Sequence, residues 1–294
     1  MSPLPPSIAD AGVLGFLDAP AWLARKALVR VGRIILALQL IAVLPAAAGQ
    51  FLTIRGTAGQ DYLAVGLGYA LLYGGSLLGM AMTAVALSAA TWGMEQCLRG
   101  RPFTTGDALR WALRFDRLLT TLLVQFVIVM GAAFCVVPGL AAAMYLGLSV
   151  PVMAAEDLTG GRAIDRSIAL ARHGRNGPWF TSTGAYALAL VCVFTLLNYS
   201  VGSLSTLPAA VIGGWLGIRA AVEGGDATGA MTTLPVWVMV SLSVSAAFVY
   251  VLSYLYLVAG GVLLRRRAQE LTEGIDILEA IPTPAGPASE EDRP

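Results

Sequence analysis

The stretch 138-PGLAAAMYLGLSVPVMAAEDLTGGRAIDRSIALARHGR-175 decides how the whole chain is read. A Pro-Gly pair leads into seventeen residues without a charge, Gly139 to Ala155, followed by the acidic pair Glu156-Asp157 and the Gly160-Gly161 break. A short basic segment then begins at Arg162. Its apolar positions Ile164, Ile168 and Ala171 recur at i, i+4, i+7, while Arg162, Asp165, Arg166 and Arg172 fall on the other face of the same helix. This is the pattern of a membrane span returning to a charged surface and continuing as a helix along that surface.

Composition carries the same reading outward. Of 294 residues 57% are apolar and 13% are charged, against about 25% charged in an ordinary soluble domain. Five uncharged runs stand out: Ile34 to Ile54, Tyr62 to Met94, Leu118 to Ala155, Trp179 to Ile218 and Ala227 to Leu264. A hydrocarbon core of about 30 Å is crossed by about 20 apolar residues. The third run is long enough for two spans, with a tight turn at Pro138-Gly139. The expected architecture is therefore all-α and polytopic, with six transmembrane helices and amphipathic cytoplasmic interfacial helices. Residues 1–17 are expected to form a polar N-terminal cytoplasmic tail without a signal peptide, 18–273 the membrane domain, and 274–294, rich in proline and acidic residues, a disordered cytoplasmic tail.

The near-zero net charge of +1 hides a strong order. Arg25, Lys26, Arg30 and Arg33 precede span one; Arg99, Arg101, Arg110, Arg114 and Arg117 lie between spans two and three. Arg162, Arg166, Arg172 and Arg175 lie between four and five, and Arg265, Arg266, Arg267 and Arg293 follow six. Of the 19 basic residues only Arg55 and Arg219 fall on the opposite side. The positive-inside rule then places both termini in the cytoplasm of a plasma-membrane protein. Trp22, Trp92, Trp111 and Trp179 sit at expected inner boundaries and Trp215 and Trp237 near outer ones, as an interfacial aromatic belt requires.

Several local signals refine this picture. The outer loop Thr53 to Asp61 is short, and Gly75 and Gly79 in span two have a spacing that admits close helix contact. Thr104-Thr105-Gly106-Asp107 reads as a capping box that starts a helix. Thr206 to Val222 is apolar enough to cross, but a crossing would put Arg265 to Arg267 outside, so the expectation is an outer interfacial or re-entrant helix. Asp18 to Arg25 and Asp107 to Arg114 share the pattern DAxxWxxR, and Arg162 to Ile168 keeps its Ala and its basic amphipathic character. The unit would be one surface helix plus two spans, used three times.

Chemistry is sparse. The single histidine, His173, reads as a helix-end cation, and Cys97, Cys135 and Cys192 have no metal-ligand spacing. No nucleophile, base or phosphate-loop motif is present, so no catalytic residue, cofactor, metal or nucleic-acid partner is expected and the chain reads as a non-enzyme. Glu156-Asp157 reads as a capping and topological feature. Inside the membrane the polar groups are Gln39, Gln125, Asn198, Thr195, Tyr250 and Tyr254, which read as interhelical hydrogen-bonding groups, the amides Gln39 and Gln125 at roughly 0.6 kcal/mol each. Gln39 and Gln125 lie roughly 8 to 11 Å into the membrane from the same side. They are expected to bond to each other or to hydroxyls within the bundle.

The order Pro138-Gly139, apolar span, Glu156, Gly-rich break, then Ala163, Ile164, Arg166, Ser167, Leu170 and Arg172 ending in a basic turn resembles the membrane domain associated with glycerophosphoryl diester phosphodiesterases. The likeness covers the middle third closely and the flanking spans in pattern. It implies a six-helix bacterial inner-membrane protein without an assigned chemistry. The soluble phosphodiesterase of that family is a separate barrel with acidic and histidine metal ligands, and 294 residues filled with spans leave no room for one. Two roles follow. One is a scaffold or accessory protein whose Arg110, Arg114, Arg162, Arg166 and Arg172 hold anionic lipid headgroups, at about 1 kcal/mol per cation, while the surface helices dock a cytoplasmic or membrane protein partner. The other is a permease subunit or a transporter of lipid or another hydrophobic cargo.

Overall fold

The computed structural model describes residues 13–172, 182–222 and 236–273; the expectations for His173, Trp179 and the tail 274–294, and for the side chains of Asn198 and Trp237, lie outside it. All secondary structure among the described residues is helical: α1 (Val13–Gly59), α2 (Tyr62–Leu98), α3 (Thr105–Ala112), α4 (Phe115–Phe134), α5 (Val136–Leu146), α6 (Ser149–Glu156), α7 (Gly160–Arg172), α8 (Thr183–Val222) and α9 (Val236–Glu273). Five stretches are long and apolar enough to cross a membrane: 16–57, 62–98, 115–134, 137–156 and 247–272. The expected fifth of six spans corresponds to a shorter apolar stretch, Thr183–Leu197.

Helix boundaries depart from expectation in three places. First, α1 starts inside the expected 1–17 tail; the basic segment Asp18 to Arg33 runs unbroken into span one, as expected, within a helix of 47 residues that is about 70 Å long. Second, the break between spans three and four is at Cys135, whose backbone is extended (φ −166°, ψ 141°); Pro138 instead sits in the first turn of α5, where a missing N–H has no intrahelical partner to lose. Span four is itself split at Gly147-Leu148 into α5 and α6. Third, Thr206 to Val222 does not turn back. It continues α8, a helix of 40 residues that runs on through Pro208.

The antiparallel pair α1–α2 is the backbone of the bundle. Its turn needs only Gln60, in the left-handed conformation (φ 54°), and Asp61, whose carboxylate accepts from the N–H groups of Leu63 and Ala64 at 3.1 Å and caps α2. Along the pair, Gly49 and Gly56 face α2 and Gly68 and Gly75 face α1. A Cβ on Gly49 would stand 2.5 Å from the Leu72 nitrogen, one on Gly68 2.7 Å from the Thr53 nitrogen, and one on Gly75 2.8 Å from the Ala46 nitrogen. These are backbone-to-backbone contacts, possible only without side chains. The spacing of seven on both helices keeps the seam facing the partner. Gly79, the other half of the expected Gly75/Gly79 pair, meets only the Ala42 methyl at 3.8 Å.

Burial is concentrated at the end of the bundle where the basic residues gather. Leu23, Ala27, Val31 and Ile35 form one face of α1, at spacings of four, and are fully buried with Ala86, Ala90 and Met94 of α2, Met153 of α6, Leu170 of α7 and Leu255, Val262 and Leu263 of α9. α9 runs through the middle of this core, between α1 and α8. Elsewhere large apolar side chains face outward, among them Tyr73, Leu77, Phe126, Phe134 and Leu196. In water such a surface would be a liability; against lipid tails it costs nothing.

Candidate functional site

Charge and burial coincide at the packed end. Glu95 follows the buried face Ala86, Ala90, Met94 of α2 and is carried by it into the core at 4% exposure. Arg99, one turn on, donates to its carboxylate at 2.9 Å, and Arg265 of α9 donates from the other side at 3.4 Å. Arg99 also donates to the Ala155 carbonyl at 3.1 Å, which brings in the end of α6. There Glu156 accepts from Arg166 of α7 at 3.1 Å and from Gln269 of α9. The network thus ties α2 and α9, from the two ends of the sequence, to the consecutive helices α6 and α7. Burial of ion pairs is a weak source of net stability but a strong penalty on losing one partner. The cluster therefore fixes how the helices meet more than how tightly.

A second node stands beside it. Arg117, 4% exposed, pairs with Asp157, donates to the Trp111 carbonyl at 3.3 Å, and lies 4.3 Å from the centre of the Trp111 ring. Trp111 stacks on Trp92 at 6.2 Å, and Trp92 meets Phe103 edge-on at 5.8 Å. The short helix α3 is held by this aromatic group and by its capping box, in which Thr104 Oγ1 accepts from the Asp107 N–H at 3.2 Å and Asp107 accepts from the Thr104 N–H at 3.0 Å. The Thr104 hydroxyl, which donates to the Asp107 carboxylate at 2.7 Å, and after it the Thr104 N–H hold the Asp107 carboxyl below its ordinary pKa. Asp157 itself closes α6 in the left-handed conformation (φ 56°). Neither member of Glu156-Asp157 caps a helix through its side chain: both are salt-bridge acceptors.

Arg267 is the outlier. It is 5% exposed, its guanidinium lies 3.8 Å from the centre of the Tyr186 ring, and its Nε and Nη1 have no hydrogen-bond partner. Face-on contact with an aromatic ring offsets part of the desolvation of the charge.

The expected headgroup arginines separate into two kinds. Arg110, Arg114, Arg162 and Arg172 are exposed. Arg166 is not part of that set, because its guanidinium is turned onto Glu156. The buried face of α7 is Ala163, Ser167, Leu170 and Ala171, with Ile164 and Ile168 only half-buried; Ser167 donates to the Tyr145 carbonyl at 2.7 Å. Among the intramembrane amides, Gln39 donates to the Thr83 hydroxyl at 3.2 Å and does not pair with Gln125. Equal depth does not imply equal direction around the helix axis, and Gln39 faces α2. Gln125 lies on the wall of an apolar cavity of about 270 Å³ formed with Thr91, Val124, Pro151, Leu190, Val258 and others. Tyr250 stacks on Tyr254 at 5.0 Å.

Glu95, Arg265, Arg267 and Arg117 were not singled out by the sequence. Glu95 and Arg265 each stand directly after an apolar run and Arg117 and Arg267 within short charged stretches, signals that look the same at a wet membrane boundary. Compared with protein families, curated proteins and solved structures, the chain matches none of them, so function rests on the site itself.

Proposed function

We propose that this is a six-span membrane protein, built from three units of a basic helix and two spans, that acts as a scaffold or accessory protein holding anionic lipid at its basic end and carrying no catalysis of its own. The observation behind this reading is how charge is sorted at that end. Glu95, Glu156 and Glu270 are drawn inward into ion pairs, while Arg25, Lys26, Arg30, Arg33, Arg101, Arg110, Arg114, Arg162 and Arg172 stand exposed against Asp18, Asp107, Asp116, Asp157 and Asp165. The outward field is therefore basic, at the level where a membrane presents phosphates. Both termini on the cytoplasmic side of a bacterial inner membrane and a protein partner docked on the same surface belong to this reading, as does the likeness to the phosphodiesterase-associated membrane domain.

The test is lipid retention. Full-length protein purified from a membrane containing phosphatidylglycerol is compared with the Arg110→Gln, Arg114→Gln, Arg162→Gln, Arg172→Gln variant by counting co-purified lipid. Loss of most of the anionic lipid is expected, and equal retention overturns the reading. The alternative role in moving a hydrophobic cargo is favoured by one observation, the apolar cavity of about 270 Å³ between α2, α4, α5, α6, α8 and α9, which is large enough for a segment of an acyl chain.

A further inference from the structure

The exposed cations are not evenly spread, and three of them converge. Lys26 and Arg30 are one turn apart on α1 and so share a face. Opposite them α2 ends; Gly100 takes the left-handed conformation (φ +67°) and reverses the chain, and the Arg101 N–H bonds back to the Gln96 carbonyl at 3.0 Å. This places Arg101 and Pro102 beside α1. The result is a concavity of about 460 Å³ walled by Lys26, Val29, Arg30, Cys97, Gly100, Arg101 and Pro102.

No wall residue is acidic, and none of the three cations forms an ion pair with a described residue; Lys26 only lies over the Trp22 ring, at 5.1 Å. Elsewhere at this end the buried cations Arg265 and Arg117 are paired with carboxylates. Three like charges around one hollow repel one another unless an anion enters it. The hollow is open in front of Gly100, where nothing lies within 4 Å of a Cβ position, so a tetrahedral oxyanion meets no steric wall there.

Depth on the helix identifies the source of that anion. Ile34 begins the uncharged run of α1, and Lys26 and Arg30 precede it by eight and four residues, roughly 12 and 6 Å along the axis. That is the headgroup layer. Val29, on the wall of the hollow and 61% exposed, presents apolar surface there, which a phospholipid chain covers and a free phosphate ion does not. We infer that Lys26, Arg30 and Arg101 form a phosphate-binding pocket for an anionic phospholipid headgroup, with Val29 against the first part of its chain. The inference rests on the anionic-lipid reading above and gives it a defined site, separate from the arginines of α3, α4 and α7.

Cys97, on the pocket wall, is the reporter. In full-length protein with Cys135→Ser and Cys192→Ser, Cys97 is the single cysteine, and its reaction with N-ethylmaleimide is timed in nanodiscs. The discs contain phosphatidylcholine alone or three parts phosphatidylcholine to one of phosphatidylglycerol. Phosphatidylglycerol slows labelling several-fold, and inorganic phosphate added to phosphatidylcholine discs leaves the rate unchanged. Each cation contributes roughly fivefold to headgroup preference, so Lys26→Gln, Arg30→Gln, Arg101→Gln abolishes the protection; the loop variant Arg101→Glu does so without touching any helix. Labelling equally fast in both discs overturns the pocket, and protection by inorganic phosphate alone overturns the lipid as its occupant. The two proposals separate cleanly. If the variant of Arg110, Arg114, Arg162 and Arg172 keeps its lipid while Cys97 is still protected, the broader reading falls and the pocket stands. If that variant loses lipid while Cys97 is never protected, the reverse holds.

Discussion

Glu95 and Arg265 are 170 residues apart in the chain and meet at 3.4 Å with both side chains almost fully buried. The pair closes the bundle: it joins the end of the first helical hairpin to the last helix, with Arg99 on its other side. Its removal in halves or as a whole has opposite consequences.

Glu95→Gln leaves the Arg265 charge in the core without its counter-ion and is expected to cost roughly 3 to 5 kcal/mol, whereas Glu95→Leu with Arg265→Met is expected to lie near neutral. Thermal unfolding in detergent micelles distinguishes the two. Equal destabilisation by both variants would show that the pair is a net source of stability.

Arg267 provides the complementary case. A guanidinium with two unbonded nitrogens and an aromatic ring as its main partner is costly to bury, so Arg267→Met is expected to hold or raise the melting temperature. A drop of more than a few degrees would mean that the Tyr186 contact outweighs desolvation.

The glycine seam predicts a position-specific pattern. Gly68→Ala pushes a methyl into the Thr53 backbone and is expected to destabilise by about 1 to 3 kcal/mol, as overpacking does. Gly66→Ala, with nothing within 4 Å of its Cβ, is expected to be neutral or to stabilise through helix propensity. Indistinguishable melting of the two variants would sink the seam.

At α3 the prediction is a pH dependence. Asp107 has a carboxyl lowered from the ordinary 3.8 by its bonds to Thr104; a depressed acid contributes stability above its unfolded value and loses it as pH falls through the folded one. Amide exchange of residues 105–112 is therefore expected to quicken below about pH 4 relative to the rest of the bundle. Asp107→Asn should flatten that dependence, and an unchanged profile would exclude the capping box as its origin.

Orientation can be tested at the two tight turns. A cysteine at Gln60 in a cysteine-free chain is expected to react with an impermeant reagent on intact cells, and one at Gly100 only after permeabilisation. The opposite result would reverse the membrane orientation proposed above.

The helical class was legible in the apolar runs, and the start of α3 was legible because a capping box is a local signal, complete within four residues. The charged core was not. A hydropathy profile ends at the first charge, so Glu95 and Arg265 read as the edge of the membrane, and only a contact across 170 residues reveals them as interior. The seam was missed for a related reason. Gly75 and Gly79 share one helix at a familiar spacing, but the contacts that matter press Gly49 and Gly56 of α1 and Gly68 and Gly75 of α2 against the facing backbone, a period of seven divided between two helices. Depth along a span predicted that Gln39 needs a partner. It could not say which neighbour Gln39 faces, since that depends on the rotation of α1 against α2.

The seam also has a genetic consequence. Every single-nucleotide missense change in a glycine codon installs a Cβ, so Gly49, Gly68 and Gly75 have no conservative neighbour one mutation away. The helix faces turned toward lipid can exchange Leu, Val, Ile and Phe freely. Drift in descendants of this gene is therefore channelled outward, and the α1–α2 hairpin becomes the slow clock of the molecule while its lipid-facing surface keeps the fast one.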